Sequence, residues 1–205
     1  MLRQIASVGS LTLLSRITGF VRDIVLASLL GAGLAADAFV VAQRLPNHFR
    51  AIFGEGAFNA AFVPGYARLL EQQGLPAAQA FAAHLLRILA LSLLVLTAVA
   101  MIFMPHMVSL LAPGFSANPE KFTLAVNLTR ITFPYLLFIS LVTLFSGVLN
   151  AHERFAAPAF APVLLNLSMI AALLATSFFP DAAHAAAWGR GSPPMPLWSR
   201  KDYPI

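Results

Sequence analysis

Residues 88–111 read ILALSLLVLTAVAMIFMPHMVSLL, twenty-four positions without an Asp, Glu, Lys or Arg. Coiled as an α-helix at about 1.5 Å per residue, the stretch is about 36 Å long. That exceeds the roughly 30 Å of hydrocarbon in a bilayer. The rest of the chain agrees with it. Of the 205 residues, 59% are hydrophobic and only 10% charged, and the mean hydropathy is +0.80. Soluble domains carry about 25% charged residues, so there is too little polar sequence here to cover a water-facing surface. The chain reads as an integral membrane protein. Helices are expected, because barrel strands would be shorter and would alternate.

Working outward, five spans are expected: Ile5–Leu30, Ala38–Val63, Ile88–Leu111, Ile131–Leu149 and Phe155–Phe179. A sixth begins at AAHAAAWG (182–189) and stops. The fold class is therefore all-α, a polytopic membrane helix bundle over 1–189. The segment 190–205, RGSPPMPLWSRKDYPI, is expected to be a disordered tail outside the bundle. Between the spans lie a glycine-rich turn, GAGLAAD (31–37), a polar link at 64–87 that reads as an interfacial amphipathic helix, and turns at 112–121 and 150–155. With the N-terminus in the cytoplasm, Arg3, Arg68, Arg87 and Arg154 fall inside and Lys121 outside, the usual positive-inside bias. The net charge of +5 thus reports topology, not nucleic acid. A cleaved signal peptide is disfavoured, since Arg16, Arg22 and Asp23 interrupt the first apolar run. There is no cysteine, hence no disulfide framework. No spacing of His and acids suggests a metal, and no cofactor is expected beyond coupling to the membrane potential or a monovalent ion.

The charges sit in the wrong places for simple spans. RLPNHFRAIFGEGAF (44–58) puts Arg44, His48, Arg50 and Glu55 within the second span, and the first carries Arg16, Arg22 and Asp23. A charge at the bilayer centre costs about 2.5–3.5 kcal/mol on insertion scales. Seven ionisable groups in two helices must therefore face a bundle interior. If the two helices form a hairpin turning at Gly33, Arg16 comes level with Arg50 and Arg22 with Arg44, and Asp23 can pair with Arg44. Pro46 should kink the second helix, and Gly54 and Gly56 loosen the turn below it. Four arginines against two acids leave about two uncompensated cations, which calls for an anion. Guanidinium forks fit phosphate oxygens, so a diphosphate is a fitting ligand. The competing reading is a set of helix-packing ion pairs with no ligand. Asp37 reads as an N-cap of the second helix, and Asn150 and Asn166 as interhelical hydrogen-bonding groups.

Three blocks carry a resemblance: SRITGFVRDIVLASLLGAGLAADAF (15–39), RLPNHFRAIFGEGAFNAAFVP (44–64) and FSGVLNAHERFAAPAFAPVLLN (145–166). Together they resemble the MurJ (MviN) family of bacterial lipid II flippases, within the MOP superfamily. The resemblance implies a transporter rather than an enzyme, in the bacterial inner membrane with a cytoplasmic N-terminus. It would flip the undecaprenyl-diphosphate-linked peptidoglycan precursor by alternating access between two lobes. The implied partners are that lipid-linked diphosphate sugar, membrane lipids and the cell-wall synthesis machinery, with the protein itself monomeric. The family's substrate-binding arginines fall on Arg16, Arg22 and Arg50, and its functional acids on Asp23, Asp37 and Glu55, with Arg44 joining the gating ion pairs. The alternatives are a MOP exporter of another lipid-linked oligosaccharide or small solute, and a membrane prenyl-diphosphate transferase. The chain departs from the family pattern by stopping after five helices and an unusual tail, which reads as a frameshift or truncation. A fragment of this kind is expected to be inactive alone.

Overall fold

A computed structural model describes residues 2–52 and 57–191 of the chain. Gly54, Glu55 and Gly56 lie outside the described residues, as does 192–205, on which most of the expected tail falls. Among the described residues there are eight α-helices and no strand. Helix α1, Leu2–Leu30, closes at Gly31, whose φ of +62° suits a residue without a Cβ. Helix α2, Leu34–Arg50, follows directly. Helices α3, Ala57–Gln73, and α4, Leu75–Leu111, are joined by Gly74 alone, at φ +81°. A 3-10 turn at Pro113–Ala117 leads into α5, Pro119–Thr132, whose first turn is capped by Asn118 accepting from the Lys121 backbone N–H at 3.1 Å. Phe133–Pro134 then bend the chain into α6, Tyr135–Ala151. Helix α7 is Ala156–Leu174, and α8 is Ala182–Gly191.

Three stretches are long and apolar enough to cross a bilayer by length and composition alone: Leu75–Leu111, Pro119–Ala151 (α5 and α6 together) and Ala156–Leu174. Helix α1 has the length, but its charges dilute it; α2 is 17 residues with a proline inside. The expected second span is thus divided between α2 and α3. No separate interfacial helix forms at 64–87: that segment supplies the end of α3 and the start of α4. Because α4 has 37 residues, it is about 55 Å long. Nearly half of it projects past the hydrocarbon, which is how a polar opening can belong to a spanning helix. The expected fourth span grows at its front by the whole of α5.

Helix neighbours differ from the hairpin expectation. Helix α1 lies chiefly against α7, and α2 chiefly against α5. Helix α8 fills the space between α7 and α5, while α3 leans on α4 and α6. Sequence adjacency therefore does not set the pairing, and α1 and α2 do not form the packed pair that would bring Asp23 to Arg44. The core that holds these helices is apolar and continuous, with Phe39, Leu93, Met104, Leu128, Phe133 and Leu144 all fully or almost fully buried. Large apolar side chains face outward on α1 and α4, among them Phe20, Leu91, Ile102 and Leu110. In water such a surface would be unstable; against acyl chains it costs nothing.

Two ties fix the ends. Lys121 of α5 donates from Nζ to Asp37 Oδ2 of α2 and lies over the Phe115 ring at 4.5 Å. Tyr66 of α3, buried, shares a hydrogen bond of 3.1 Å with His152 Nε2 just after α6. These ties lie at opposite ends of the α5–α6 unit. That places the 31–37 turn with the 112–121 turn on one side, and the 64–74 region with 150–155 on the other.

Candidate anion site

Helix α2 is divided lengthwise by side-chain chemistry. Ala38, Phe39, Val41, Ala42, Leu45 and Pro46 form its buried stripe. Gln43, Asn47 and Arg50 share a neighbouring, half-buried stripe, and Asp37, Arg44 and His48 an exposed one. Pro46 has no N–H to give to the carbonyl four residues earlier, at Ala42. Thr132 of α5 replaces it, with Oγ1 donating to Ala42 O at 3.0 Å. Past the proline the Ala51 N–H is shared between Asn47 O and His48 O, and residues 51–52 run as π-helix. The proline expected to kink the second helix is therefore seated in a socket made for it.

On α1, Arg22 is held from two directions. Its Nη1 donates to Asn166 Oδ1 of α7 at 2.8 Å. Its Nε and Nη2 donate to Asp23 Oδ1 at 3.0 and 2.7 Å. Asn166 is buried and fully used, for its Nδ2 also donates to Ser15 O at 3.0 Å and to Thr18 Oγ1 at 3.3 Å. The helices can approach this closely because Gly19 faces Asn166; a Cβ there would stand 3.3 Å from Nδ2.

From α8 comes Arg190. The helix packs tightly because its inner residues are alanine and glycine: a Cβ on Gly189 would lie 2.7 Å from Ala172 Cβ and 2.9 Å from Met169 Cα. That close seat carries Arg190 into the bundle, where it is only 8% exposed. Nη1 donates to Gln43 Oε1 at 3.1 Å and Nη2 to Asn47 Oδ1 at 2.6 Å. The guanidinium carbon stands 4.9 Å from the centroid of the Tyr135 ring. Helix α8 thus lays a buried guanidinium on the polar stripe of α2.

The residues singled out from sequence separate accordingly. Arg22 is held between α1 and α7, and Arg50 lies half-buried on the α2 stripe of Gln43 and Asn47 that receives Arg190. Arg16 is exposed on α1, six residues or about 9 Å along the helix from Arg22. Arg44 is exposed, and its carbonyl accepts from His48 Nδ1 at 3.2 Å. Asp23 pairs with its neighbour Arg22 rather than with Arg44, because α1 turns toward α7. Asp37 is in the first turn of α2, where an acid suits the helix dipole, but it caps nothing. Gly33 is the N-cap, and the Asp37 carboxylate crosses to Lys121. Glu55, Gly54 and Gly56 fall outside the described residues. No group of three or more metal-ligating side chains occurs among the described residues. Sequence reasoning missed Arg190 by assigning it to the tail; the helix continues two residues past the expected boundary at 189. It also read Asn166 as ordinary packing, and gave Gln43 and Asn47 no role. Their spacing of four, one turn before Arg50, was the available signal.

These features define a class: a polytopic helical membrane protein with arginine side chains held inside its bundle. Its family follows from comparison. A family model described as "Lipid II flippase MurJ" matches residues 26–190, and the chain belongs to that family. It is 43% identical over 189 residues to the "Probable lipid II flippase MurJ" of Rhizobium tropici, covering 92% of this chain and 36% of that protein. It is 44% identical over 187 residues to the "Lipid II flippase MurJ" of Burkholderia cenocepacia, covering 91% and 36%. A solved structure titled "Lipid II flippase MurJ, inward closed conformation" superposes with a TM-score of 0.72 at 27% identity, over 90% of this chain and 39% of that one. The chain therefore spans somewhat more than a third of the length of the relatives it matches.

Proposed function

We propose that this chain forms part of a transporter that moves a lipid-linked diphosphate sugar across the bacterial inner membrane; its relatives are named lipid II flippases. The observation that carries the reading is the family match over residues 26–190, together with guanidinium groups held inside an apolar bundle by Asn166 and by Gln43 and Asn47, where an anion is the fitting ligand. A diphosphate supplies the matching oxygens, while its prenyl chain stays in lipid beside the apolar outer faces of α1 and α4. Arg16 stands at the approach to the site and makes first contact with the headgroup. Asp23 competes with the ligand for Arg22. Asp37, through Lys121, closes one rim, and Arg44 and Glu55 complete the gating charges. The N-terminus is cytoplasmic, and the transporter works as a monomer alongside the cell-wall synthesis machinery.

The membrane potential assists. Moving one charge through 100 mV is worth about 2.3 kcal/mol, so a headgroup of charge −2 leaving a negative interior gains roughly 4–5 kcal/mol. The gain is realised only if the arginines keep their depth while the gates change. The test is binding of undecaprenyl diphosphate to the chain in lipid nanodiscs. Replacing Arg22 and Arg50 together by Gln is expected to weaken binding at least tenfold, as loss of charge-assisted hydrogen bonds requires. Unchanged affinity in that double variant rejects the site.

A further inference from the structure

Helices α2 and α5 are joined at three levels by three different chemistries. In the first turn of each, Lys121 donates to Asp37 while its Nζ lies 4.5 Å from the centroid of the Phe115 ring. Further along, Thr132 Oγ1 donates at 3.0 Å to the Ala42 carbonyl that Pro46 leaves free. Last, the rings of Phe49 and Phe133 meet edge to face with centroids 5.8 Å apart. Partner numbers rise together on both helices, so the two run in the same direction. A cation in the first turn of a helix opposes its dipole. The place of Lys121 is therefore explained by what it reaches on α2, not by α5 itself. Both helices are also cut from their chain neighbours at matching ends. At the start, α2 leaves α1 through Gly31, Ala32 and Gly33, and α5 leaves α4 through 112–118. At the finish, residues 51–52 run as π-helix beside the break at Phe133–Pro134. There the bonds span only three residues, from the Leu136 N–H to Phe133 O at 3.0 Å and from the Leu137 N–H to Pro134 O at 3.1 Å. Gly33 is extended, at φ 176°, and no atom lies within 4 Å of where its Cβ would stand. This conformation does not need a glycine there; a link that bends does. Across that link, α1 packs chiefly on α7, and α8 stands between the α1–α7 pair and the α2–α5 pair.

We propose that α2 and α5 form one rigid strut, stapled by Lys121, Thr132 and Phe133, which swings as a body against the α1–α7 pair on hinges at 31–33 and Phe133–Pro134. It holds whatever ligand the protein carries. Packed interiors do not deform continuously, so movement concentrates where a helix is interrupted. A single tie would leave the two helices free to scissor about it. Ties at both ends and between, from Asp37 to Phe49, fix them over twelve residues, or about 18 Å. Thr132 and Phe133 are fully buried, so those two ties are shielded from water. The Asp37–Lys121 tie is partly exposed and weaker alone, which makes it the end at which the strut loosens first. Helix α8 sets where the strut rests: it is seated on α7 by the close approach of Gly189, and Arg190 reaches across to Gln43 and Asn47 of α2.

The experiment places nitroxide pairs on exposed positions of the full 205-residue chain, which has no cysteine of its own, in lipid nanodiscs. Distance distributions are read by electron paramagnetic resonance. Val40→Cys with Asn127→Cys reports within the strut, and Val40→Cys with Ile17→Cys reports between the strut and α1; all three positions are exposed. The first pair is expected to give one narrow distribution and the second a broad or two-peaked one. Gly33→Ala fits both the extended backbone and the open space around it. It should narrow the second distribution to one population and leave the first unchanged. Lys121→Met keeps the length of the side chain and removes the outer tie, so it should broaden the first distribution. Adding Thr132→Val should broaden it further; where that double variant does not fold, Lys121→Met alone decides. A within-strut distribution as broad as the one to α1, or one that Lys121→Met leaves unchanged, would show that the ties do not make a strut. A narrow distribution to α1 in the parent chain, or one that Gly33→Ala does not narrow, would remove the hinge. Each of these results overturns the proposal.

Discussion

Thr132 completes a hydrogen bond that Pro46 removes. The Ala42 carbonyl lies inside a buried stripe of α2, and its natural donor, the N–H at position 46, does not exist. Leaving a buried carbonyl unpaired costs about 1–3 kcal/mol, so Thr132→Val, close in shape, is expected to destabilise the protein by about that amount. In a Pro46→Ala background the restored N–H supplies the bond, and the cost of Thr132→Val should fall below about 1 kcal/mol. Thermal or denaturant unfolding of the four variants in detergent measures the coupling; additive effects would show that the hydroxyl is not serving the proline. At this scale the sequence was partly legible. Pro46 inside an apolar run announced a disturbed helix, and Arg22, expected to face the interior, meets Asn166 there. Which hydroxyl would answer the proline was not legible, because Thr132 is 90 positions from Ala42 and helical periodicity identifies faces, not the faces that meet.

Helix α8 shows how an element depends on its ends. Asp181, in the turn before it, accepts from the His184 backbone N–H at 2.7 Å and from the His184 ring Nδ1 at 2.9 Å. Burial alone would raise the Asp181 carboxyl; the His184 hydrogen bonds and ring charge outweigh burial and hold it below its ordinary value. A depressed carboxyl stabilises the fold above its unfolded value of about 3.9 and loses that contribution as pH falls through the lower folded value. The amides of α8 should therefore exchange faster with deuterium as pH drops below about 4, after correction for the intrinsic rate, while those of α4 do not respond. Asp181→Asn, which keeps a capping oxygen but no titration, should remove the difference. The element was foreseen as the start of a sixth helix. Its extent was not, because the prolines at 193, 194 and 196 dominate the composition of the segment that follows and drew Arg190 into it. The division of the second span was hidden for a similar reason: a hydropathy window averages across a break of a few residues.

For the whole molecule, the test is which loops share a side. The chain has no cysteine, so pairs can be introduced one at a time. Asp37→Cys with Lys121→Cys should cross-link under mild oxidation, while Asp37→Cys with His152→Cys should not, being separated by the length of the α5–α6 unit. A cross-link in the second pair, or none in the first, would reject the arrangement of α2 against α5. The membrane class was legible from composition, and the sharing of a side by 31–37 and 112–121 follows from counting spans. The global pairing of α1 with α7 was not, since nothing local distinguishes α7 from α2 as a neighbour for the first helix.

That pairing has a consequence for biogenesis. Asn166 lies 144 positions after Arg22. At about 5–20 residues per second, a ribosome takes roughly seven to thirty seconds to make that interval. Throughout it, α1 has been synthesised but the amide that receives its guanidinium has not. The opening helix must therefore be sheltered by the insertion machinery, or wait at the wet headgroup layer, until its late-born companion emerges. The order of translation is thus opposed to the order in which the first helix can settle.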